Sequence, residues 1–309
     1  MRDDDRPPVM AHQRFVADRT SFADMDLAQR FRHIHDTNLW GAAASVSGLG
    51  SETDATAVLR AELPRLLGKL QVTSLLDAPC GDAGWITQAN SSVRIIGIDI
   101  VPPLIDSLKR RVATGEIGGE YHLADITRDP LPRCDAILCR DCLVHLSFAN
   151  IERALANFRR SGAIWLITTT FTQWQTNREC EDGDWRALNF ERPPFNWGAP
   201  VELIDEHCTE AGGGWRDKSL GAWRLADLAA VVPDLIRDPT PGIRDCRRHL
   251  PHRGKRSDTA YGSQIKSGTA PEMAPWPRIS SCSTRHQQQP CRPRSHPSAP
   301  DRPRGSSRA

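Results

Sequence analysis

Acidic residues end or follow three short apolar runs in the first half of the chain. Asp77 ends SLLD, Asp99 ends RIIGID, and Asp125 follows YHLA. In a parallel sheet the carboxyl ends of the strands share one edge, so these carboxylates would meet there. Carboxylates accept hydrogen bonds from ribose hydroxyls and from ammonium groups. The spacing therefore predicts a site for a cofactor that carries a nucleoside.

The turn after the first run, PCGDAGW, narrows the kind of cofactor. It contains Gly81 and Gly84 but neither GxGxxG nor GxxxxGK[ST], so it is neither a dinucleotide fingerprint nor a triphosphate cradle. A residue without a side chain at Gly81 lets the backbone approach a ligand closely. The carboxylate of Asp99 would accept both ribose hydroxyls. These features predict a cofactor with a ribose but no pyrophosphate.

The elements that position these residues alternate between strand and helix. This alternation predicts a doubly wound α/β sheet. The five predicted parallel strands are Thr73–Asp77, Arg94–Ile100, Tyr121–Asp125, Asp135–Arg140 and Ala163–Phe171. Further along, residues 201–209 have the pattern of a helix, and residues 218–225 have that of a last, antiparallel strand.

At these motifs the chain resembles the class I S-adenosylmethionine-dependent methyltransferases, most strongly over residues 75–145. The resemblance implies a Rossmann-like, mostly parallel seven-stranded sheet with S-adenosylmethionine as cofactor. Asp77 would bind its ammonium group, Asp99 the ribose and Asp125 the adenine amino group, although each acid could instead cap a loop. The predicted cofactor-binding residues are Asp77, Cys80, Gly81, Asp99, Ile100, Asp125, Ile126 and Arg140.

His145, in the segment CRDCLVHLS, is the candidate catalytic residue. It is the only side chain of this segment whose ordinary pKa lies near neutrality. A histidine that only packs over the cofactor is the alternative, because many enzymes of this class need no base. The segment also lacks the [DNS]PP[YFW] motif of amino-methylating DNA enzymes.

Segments flanking the core resemble those of a bacterial methyltransferase group, in which they would form a cap and an acceptor pocket. Trp40, Trp185 and Phe195 are the candidate substrate-binding residues, with a hydrophobic lid as the alternative. The expected reaction is in-line methyl transfer to an oxygen or nitrogen atom of a small molecule or saccharide. A cofactor-binding module with a regulatory or nucleic-acid-associated role is the competing hypothesis.

The composition divides the chain into unlike parts. Residues 1–232 hold 25 Lys+Arg and 32 Asp+Glu, whereas residues 233–309 hold 15 and 6 and include 12 of the 23 prolines. The predicted organisation is a flexible N-terminus (1–20), a helical cap (21–72), a methyltransferase core (73–230) and a disordered basic tail (231–309). A solvated tail without a role is the favoured interpretation, and a basic arm for nucleic acid or an acidic surface is one alternative. A third alternative is a non-native tail, because the string VVPDLIRDPTPGIRD resembles a translated bacterial repeat element.

The remaining expectations concern compartment and partners. No apolar run approaches the roughly 20 residues needed to cross a bilayer, and MRDDDRPPVM is not a signal peptide. A cytoplasmic protein is expected, without a membrane partner and without nucleic acid as substrate. Cys139 and Cys142 have C-x-x-C spacing, but no second pair lies at zinc-finger distance, so no metal site is expected.

Overall fold

A seven-stranded sheet forms the centre of the molecule. The computed structural model describes residues 2–43, 45–89 and 92–228. The strands are β1 Ser74–Asp77, β2 Arg94–Asp99, β3 Glu120–Leu123, β4 Ala136–Cys139, β5 Trp165–Phe171, β6 Glu202–Asp205 and β7 Lys218–Arg224. Their order is β3-β2-β1-β4-β5-β7-β6. The first five are parallel, and β7 runs antiparallel to both β5 and β6. The predicted mostly parallel seven-stranded α/β sheet is confirmed.

The order of the strands places a crevice at the carboxyl ends of β1 and β4. β1 lies between β2 and β4, and Leu76 is in register with both Ile96 and Ile137. The chain leaves β1 toward β2 on one side and β4 toward β5 on the other, so the loops that follow β1 and β4 diverge. Every residue of β4 and β5 is buried, which explains the apolar sequence of β4 and of residues 165–167 in β5.

Six α-helices accompany the sheet in the part of the chain that the structure describes, and local signals in the sequence set the ends of several. Ser147 caps the start of α5 by accepting a hydrogen bond from the Asn150 backbone N–H (3.3 Å), and Gly162 ends α5 at φ +81°. Pro102 occupies the first turn of α4, where no N–H is needed. The helices are α1 Met10–Asp18, α2 Leu27–Asp36, α3 Ala57–Lys69, α4 Pro102–Ala113, α5 Phe148–Ser161 and α6 Glu210–Gly213.

The helix predicted over residues 201–209 is wrong. The structure instead has the edge strand β6, which pairs with β7. Leu203 and Asp205 are exposed while Glu202 and Ile204 are half-buried, and this period of two is that of a strand. A short apolar run does not distinguish the 3.6-residue period of a helix from the two-residue period of a strand. In this segment the pairing with β7 decides for the strand.

The N-terminal segment (residues 2–18) is not the flexible arm expected from its polar sequence. Arg6 forms a buried ion pair with Asp217, whose Oδ2 lies 3.1 Å from the second guanidinium nitrogen. Phe15 of α1 is buried against Phe22, with ring centroids 4.6 Å apart. These partners lie elsewhere in the chain, so the polar composition of the segment does not reveal them.

The predicted basic tail, residues 231–309, lies outside the described residues. Within the described ranges, no helix is long and apolar enough to cross a membrane. Within the same ranges, no group of three or more His, Cys, Asp or Glu side chains is arranged to hold a metal ion. Cys139 and Cys142 are buried free thiols.

Candidate functional site

A cavity opens at the carboxyl edge of the sheet, and we call it the sheet-edge cavity. All eight predicted cofactor-binding residues line it, together with Trp40 and His145. They come from the loops after four neighbouring strands, β1 to β4, which is where the strand order predicts a ligand site. The eight are Asp77, Cys80, Gly81, Asp99, Ile100, Asp125, Ile126 and Arg140.

Asp99 is held rigidly at this edge by backbone donors. Its Oδ2 accepts from the Gly81 N–H (3.0 Å) and its Oδ1 from the Val101 N–H (2.9 Å). Burial raises the pKa of Asp99 to about 6, although these two hydrogen bonds oppose the shift. Each carboxylate oxygen retains a lone pair, so the group can accept further hydrogen bonds from a ligand.

Asp77 is buried beside Asp99 but has no such donors. Among the described residues, none donates a hydrogen bond to its carboxylate. Burial, and then the nearby charge of Asp99, raises its pKa well above the usual range, and Arg140 opposes this. A buried carboxylate without a partner is costly unless a cationic ligand supplies one.

Asp125 is placed differently from the other two acids. Its Oδ1 accepts from the backbone N–H (2.8 Å) and the hydroxyl (2.7 Å) of Thr127, and its Oδ2 lies 3.2 Å from Nε of Arg128. The carboxylate therefore caps its own loop, the alternative that the sequence left open. Ile100 and Ile126 form apolar parts of the same wall.

A loop of residues 45–51 closes over the glycine turn. Gly81 has φ +54°, and a Cβ there would lie 2.2 Å from Ser47 Oγ. That hydroxyl accepts from the Asp82 N–H (3.0 Å), and Ser45 Oγ donates to Asp82 Oδ2 (2.7 Å). The string SVSGLGS, residues 45–51, is one of the flanking segments that the resemblance assigned to a cap, but its contacts with the glycine turn were not predicted.

Helix α2 supplies further lining, and residues 31–36 of it belong to the flanking segment FRHIHDTNLWG that the resemblance assigned to a cap. Leu27, Phe31 and His35 all face the sheet-edge cavity. The charge of His35, when protonated, lowers the pKa of Asp99, so the two groups are neighbours. Their helical spacing along α2 was the available signal, because residues three and four apart share one helix face.

His145 stacks on Trp40, with ring centroids 4.5 Å apart and an interplanar angle of 28°. Its Nδ1 lies 2.7 Å from the Asp184 carbonyl oxygen. A carbonyl only accepts, so Nδ1 carries the proton and Nε2 has the free lone pair. Burial lowers the pKa of His145 to about 4, so the ring is neutral at pH 7.

A second cavity, the side cavity, shares a wall with the first. Trp40, Ser47, Asp141 and His145 line both cavities. The rest of its lining includes Phe171, Trp185, Glu210 and Lys218, and the N-terminal segment contributes Pro8, Val9, Met10, Ala11 and Gln13.

The indole Nε1 of Trp40 is buried without a hydrogen-bond partner among the described residues. A ligand atom that accepts a hydrogen bond would satisfy it.

Of the three predicted substrate-binding residues, Phe195 lies elsewhere. It is completely buried and lines neither the sheet-edge cavity nor the side cavity. Its ring packs against Phe190, Trp197 and Phe148 at centroid distances of 4.8, 5.8 and 5.6 Å. An aromatic residue in the segment after β5 can serve either the core or a cavity wall, and the sequence does not separate the two.

Arg140 belongs to a buried ion network with Asp141, Glu206 and Lys218. Arg140 Nη2 lies 2.6 Å from Glu206 Oε2, and Lys218 Nζ lies 2.6 Å from Asp141 Oδ2. Arg140 Nη1 lies 3.3 Å from Asp141. The two cations hold the pKa of Asp141 far below its usual range despite burial. The network joins the loop after β4 to β7 and to the turn after β6.

Residues 75–162 match the family described as a methyltransferase domain. The match spans β1 to α5, and the sheet adds an antiparallel β7 between β5 and β6. This part of the chain is therefore a class I, S-adenosylmethionine-dependent methyltransferase domain. No curated protein matches the chain in a sequence comparison.

Several solved structures are similar to the chain at low identity. N-methyltransferase NodS from Bradyrhizobium japonicum WM9 is 18% identical, with 57% of this chain and 98% of that chain covered and a TM-score of 0.40. The methyltransferase domain of bacterial CtHen1-CN is 12% identical over 55% and 99%, with a TM-score of 0.42. The PH0226 protein from Pyrococcus horikoshii OT3 is 16% identical over 38% of this chain and 59% of that chain, with a TM-score of 0.33.

Proposed function

We propose that this chain transfers the methyl group of S-adenosylmethionine to an oxygen or nitrogen atom of a small molecule or saccharide. The shared wall of the two cavities carries this proposal. Direct methyl transfer needs donor and acceptor to meet in line at close range. Two cavities that share Trp40, Ser47, Asp141 and His145 provide that arrangement.

The sheet-edge cavity fits the donor. Unpaired Asp77 would accept from the ammonium group. The Gly81 and Asp82 N–H groups already donate to Asp99 and Ser47, so we assign no donor to the carboxylate of the cofactor. Asp99 would accept from the ribose hydroxyls, and Ile100 with the Asp125–Ile126 turn would hold the adenine. When bound, S-adenosylmethionine supplies a methyl group on a sulfonium sulfur, which makes its carbon electrophilic.

The side cavity fits the acceptor. Trp40 and Trp185 give it aromatic walls, and the N-terminal segment closes one side against water. His145 presents an unprotonated Nε2 to the shared wall, where it can accept a hydrogen bond and orient the acceptor. Its low pKa makes it a weak base, so we assign it positioning rather than proton removal.

The experiment has a binding arm and a transfer arm. Calorimetry of the full chain should show that S-adenosylhomocysteine binds and that Asp77→Asn weakens it about tenfold to a hundredfold, the value of one buried charge-assisted hydrogen bond. 5′-Methylthioadenosine lacks the amino-acid part of the donor, so Asp77→Asn should weaken its binding less than that of S-adenosylhomocysteine. Asp106→Asn, on the exposed face of α4, is the matched control.

The transfer arm incubates the chain with methyl-labelled S-adenosylmethionine and a bacterial metabolite extract. We expect label in at least one small molecule, and about tenfold to a hundredfold less when Asp77→Asn is used at a donor concentration well below the Kd of both proteins. Failure of the wild-type chain to bind S-adenosylhomocysteine, or equal affinity in Asp77→Asn and Asp106→Asn, would contradict the donor site. Binding without any labelled product would contradict the transferase function.

A further inference from the structure

The charges beside the side cavity do not balance. Three acidic and two basic side chains lie close together there: Asp141, Glu206, Glu210, Arg140 and Lys218. The ion network pairs both cations with Asp141 and Glu206 at 2.6 Å. One negative charge, that of Glu210, is left over.

Glu210 has no bonded partner among the described residues, although it lines the side cavity. The charge of Lys218 lowers the pKa of Glu210, but the Lys218 ammonium already lies 2.6 Å from Asp141 and 3.7 Å from Glu206. Burial raises the pKa of Glu210, which means that its charged form is poorly solvated. A ligand cation at this position would relieve that cost.

The other walls of the side cavity also suit a cation. Trp40, Phe171 and Trp185 present aromatic rings, and ring faces attract ammonium groups by about 0.5–2 kcal/mol. His145 is neutral at pH 7 and so adds no positive charge. The cavity therefore combines one unpaired carboxylate with three aromatic walls.

We propose that the methyl acceptor is an amine, held with its nitrogen beside Glu210 in the side cavity. This inference rests on the proposed function and names its acceptor class. A hydroxyl acceptor would leave the charge of Glu210 without a counter-ion, and a carboxylate acceptor would meet a net negative charge.

The carboxylate of Glu210 would also favour methyl transfer to an amine. A bound ammonium first releases one proton to water, and the neutral amine is the nucleophile. Its lone pair forms the N–C bond while the C–S bond breaks and its electrons go to sulfur. Positive charge thus passes from sulfur to nitrogen, and an anion next to that nitrogen favours the transition state. The product is a methylated ammonium ion, which keeps its proton or releases it to water.

The test compares matched acceptors on the full chain saturated with S-adenosylhomocysteine. One set is phenethylamine, phenethyl alcohol and phenylacetate, and the other is glucosamine, glucose and glucuronate. Calorimetry should show that the amine binds at least about tenfold more tightly than its alcohol in one set or both. The carboxylate should bind most weakly. The two sets distinguish an arylalkyl amine from an amino sugar.

Glu210→Gln keeps the shape of the side chain and removes its charge. It should abolish the preference for the amine while leaving S-adenosylhomocysteine affinity unchanged, which also shows that the variant is folded. Glu191→Gln, an exposed site outside both cavities, should keep the preference.

The proposal is overturned if S-adenosylhomocysteine binds but no amine does. It is also overturned if neither amine exceeds its alcohol, or if the preference survives in Glu210→Gln. Failure to bind S-adenosylhomocysteine would instead overturn the proposed function.

Discussion

Lowering the pH should weaken binding of the adenosine part of the donor, because Asp99 must be ionised to accept both ribose hydroxyls. Its pKa in the free protein is about 6, compared with about 3.9 for an ordinary aspartate. Affinity falls with the ionised fraction, so Kd should rise about elevenfold between pH 8 and pH 5. An unshifted aspartate would give a change of only about 1.1-fold over this range.

The sign of this effect follows from the raised pKa. Affinity is complete above pH 7, where Asp99 is ionised, and is lost as the pH falls through 6. Asp77 also has a raised pKa, so the ligand should be 5′-methylthioadenosine, which lacks the ammonium group that Asp77 would bind.

Calorimetry at constant ionic strength from pH 5 to pH 8 measures this dependence. Asp99→Ala should bind about tenfold to a hundredfold more weakly at pH 8, since a charge-assisted hydrogen bond is worth about 1.5–3 kcal/mol. It should also lose the pH dependence. Asp106→Ala, on the exposed face of α4, should retain the wild-type affinity and its pH dependence. A flat profile in the wild-type chain, or an unchanged slope in Asp99→Ala, would refute the assignment of the ribose to Asp99.

Three further predictions concern other parts of the chain. Arg6→Ala should lower the free energy of unfolding by about 3–5 kcal/mol in urea titrations, because it leaves Asp217 buried without its cation; Arg178→Ala, at an exposed ion pair, should change it little. Once an acceptor is known, His145→Ala should reduce kcat by less than about 10⁴-fold and remove no pH limb near 6.5, since its pKa is about 4; a larger loss with such a limb would make it a general base. A chain that ends at Val232 should melt at the same temperature as the full chain and bind S-adenosylhomocysteine equally well, because every residue lining the two cavities precedes it; a melting point lower by several degrees would contradict this.

The residues near the ends of the parallel strands were predictable from sequence. Asp77, Asp99 and Asp125 follow runs whose strand character is local, and the geometry of a parallel sheet then brings their ends together. Their hydrogen-bond partners were not predictable in the same way. Thr127 donates two hydrogen bonds to the carboxylate of Asp125, and these bonds depend on the conformation of one short turn.

The acceptor side was harder to predict because its parts are far apart in the chain. Glu210 lies beside Lys218 and the loop after β4 only because β7 enters the sheet antiparallel between β5 and β6. The N-terminal segment lies beside the side cavity because Arg6 pairs with Asp217, which is 211 positions later in the chain. Neither hydrophobic periodicity nor a motif spans such separations.

The contact between Arg6 and Asp217 joins residues 211 positions apart, and this separation sets an order of events during synthesis. The Trp215 indole also donates to the carbonyl oxygen of Pro7 (3.1 Å), so the N-terminal segment is fastened only after residue 217 has left the ribosome. The described residues that line the sheet-edge cavity all lie within 27–146 and leave the ribosome earlier. A nascent chain therefore carries every residue of the proposed donor cavity before the N-terminal segment can be fastened beside the proposed acceptor cavity.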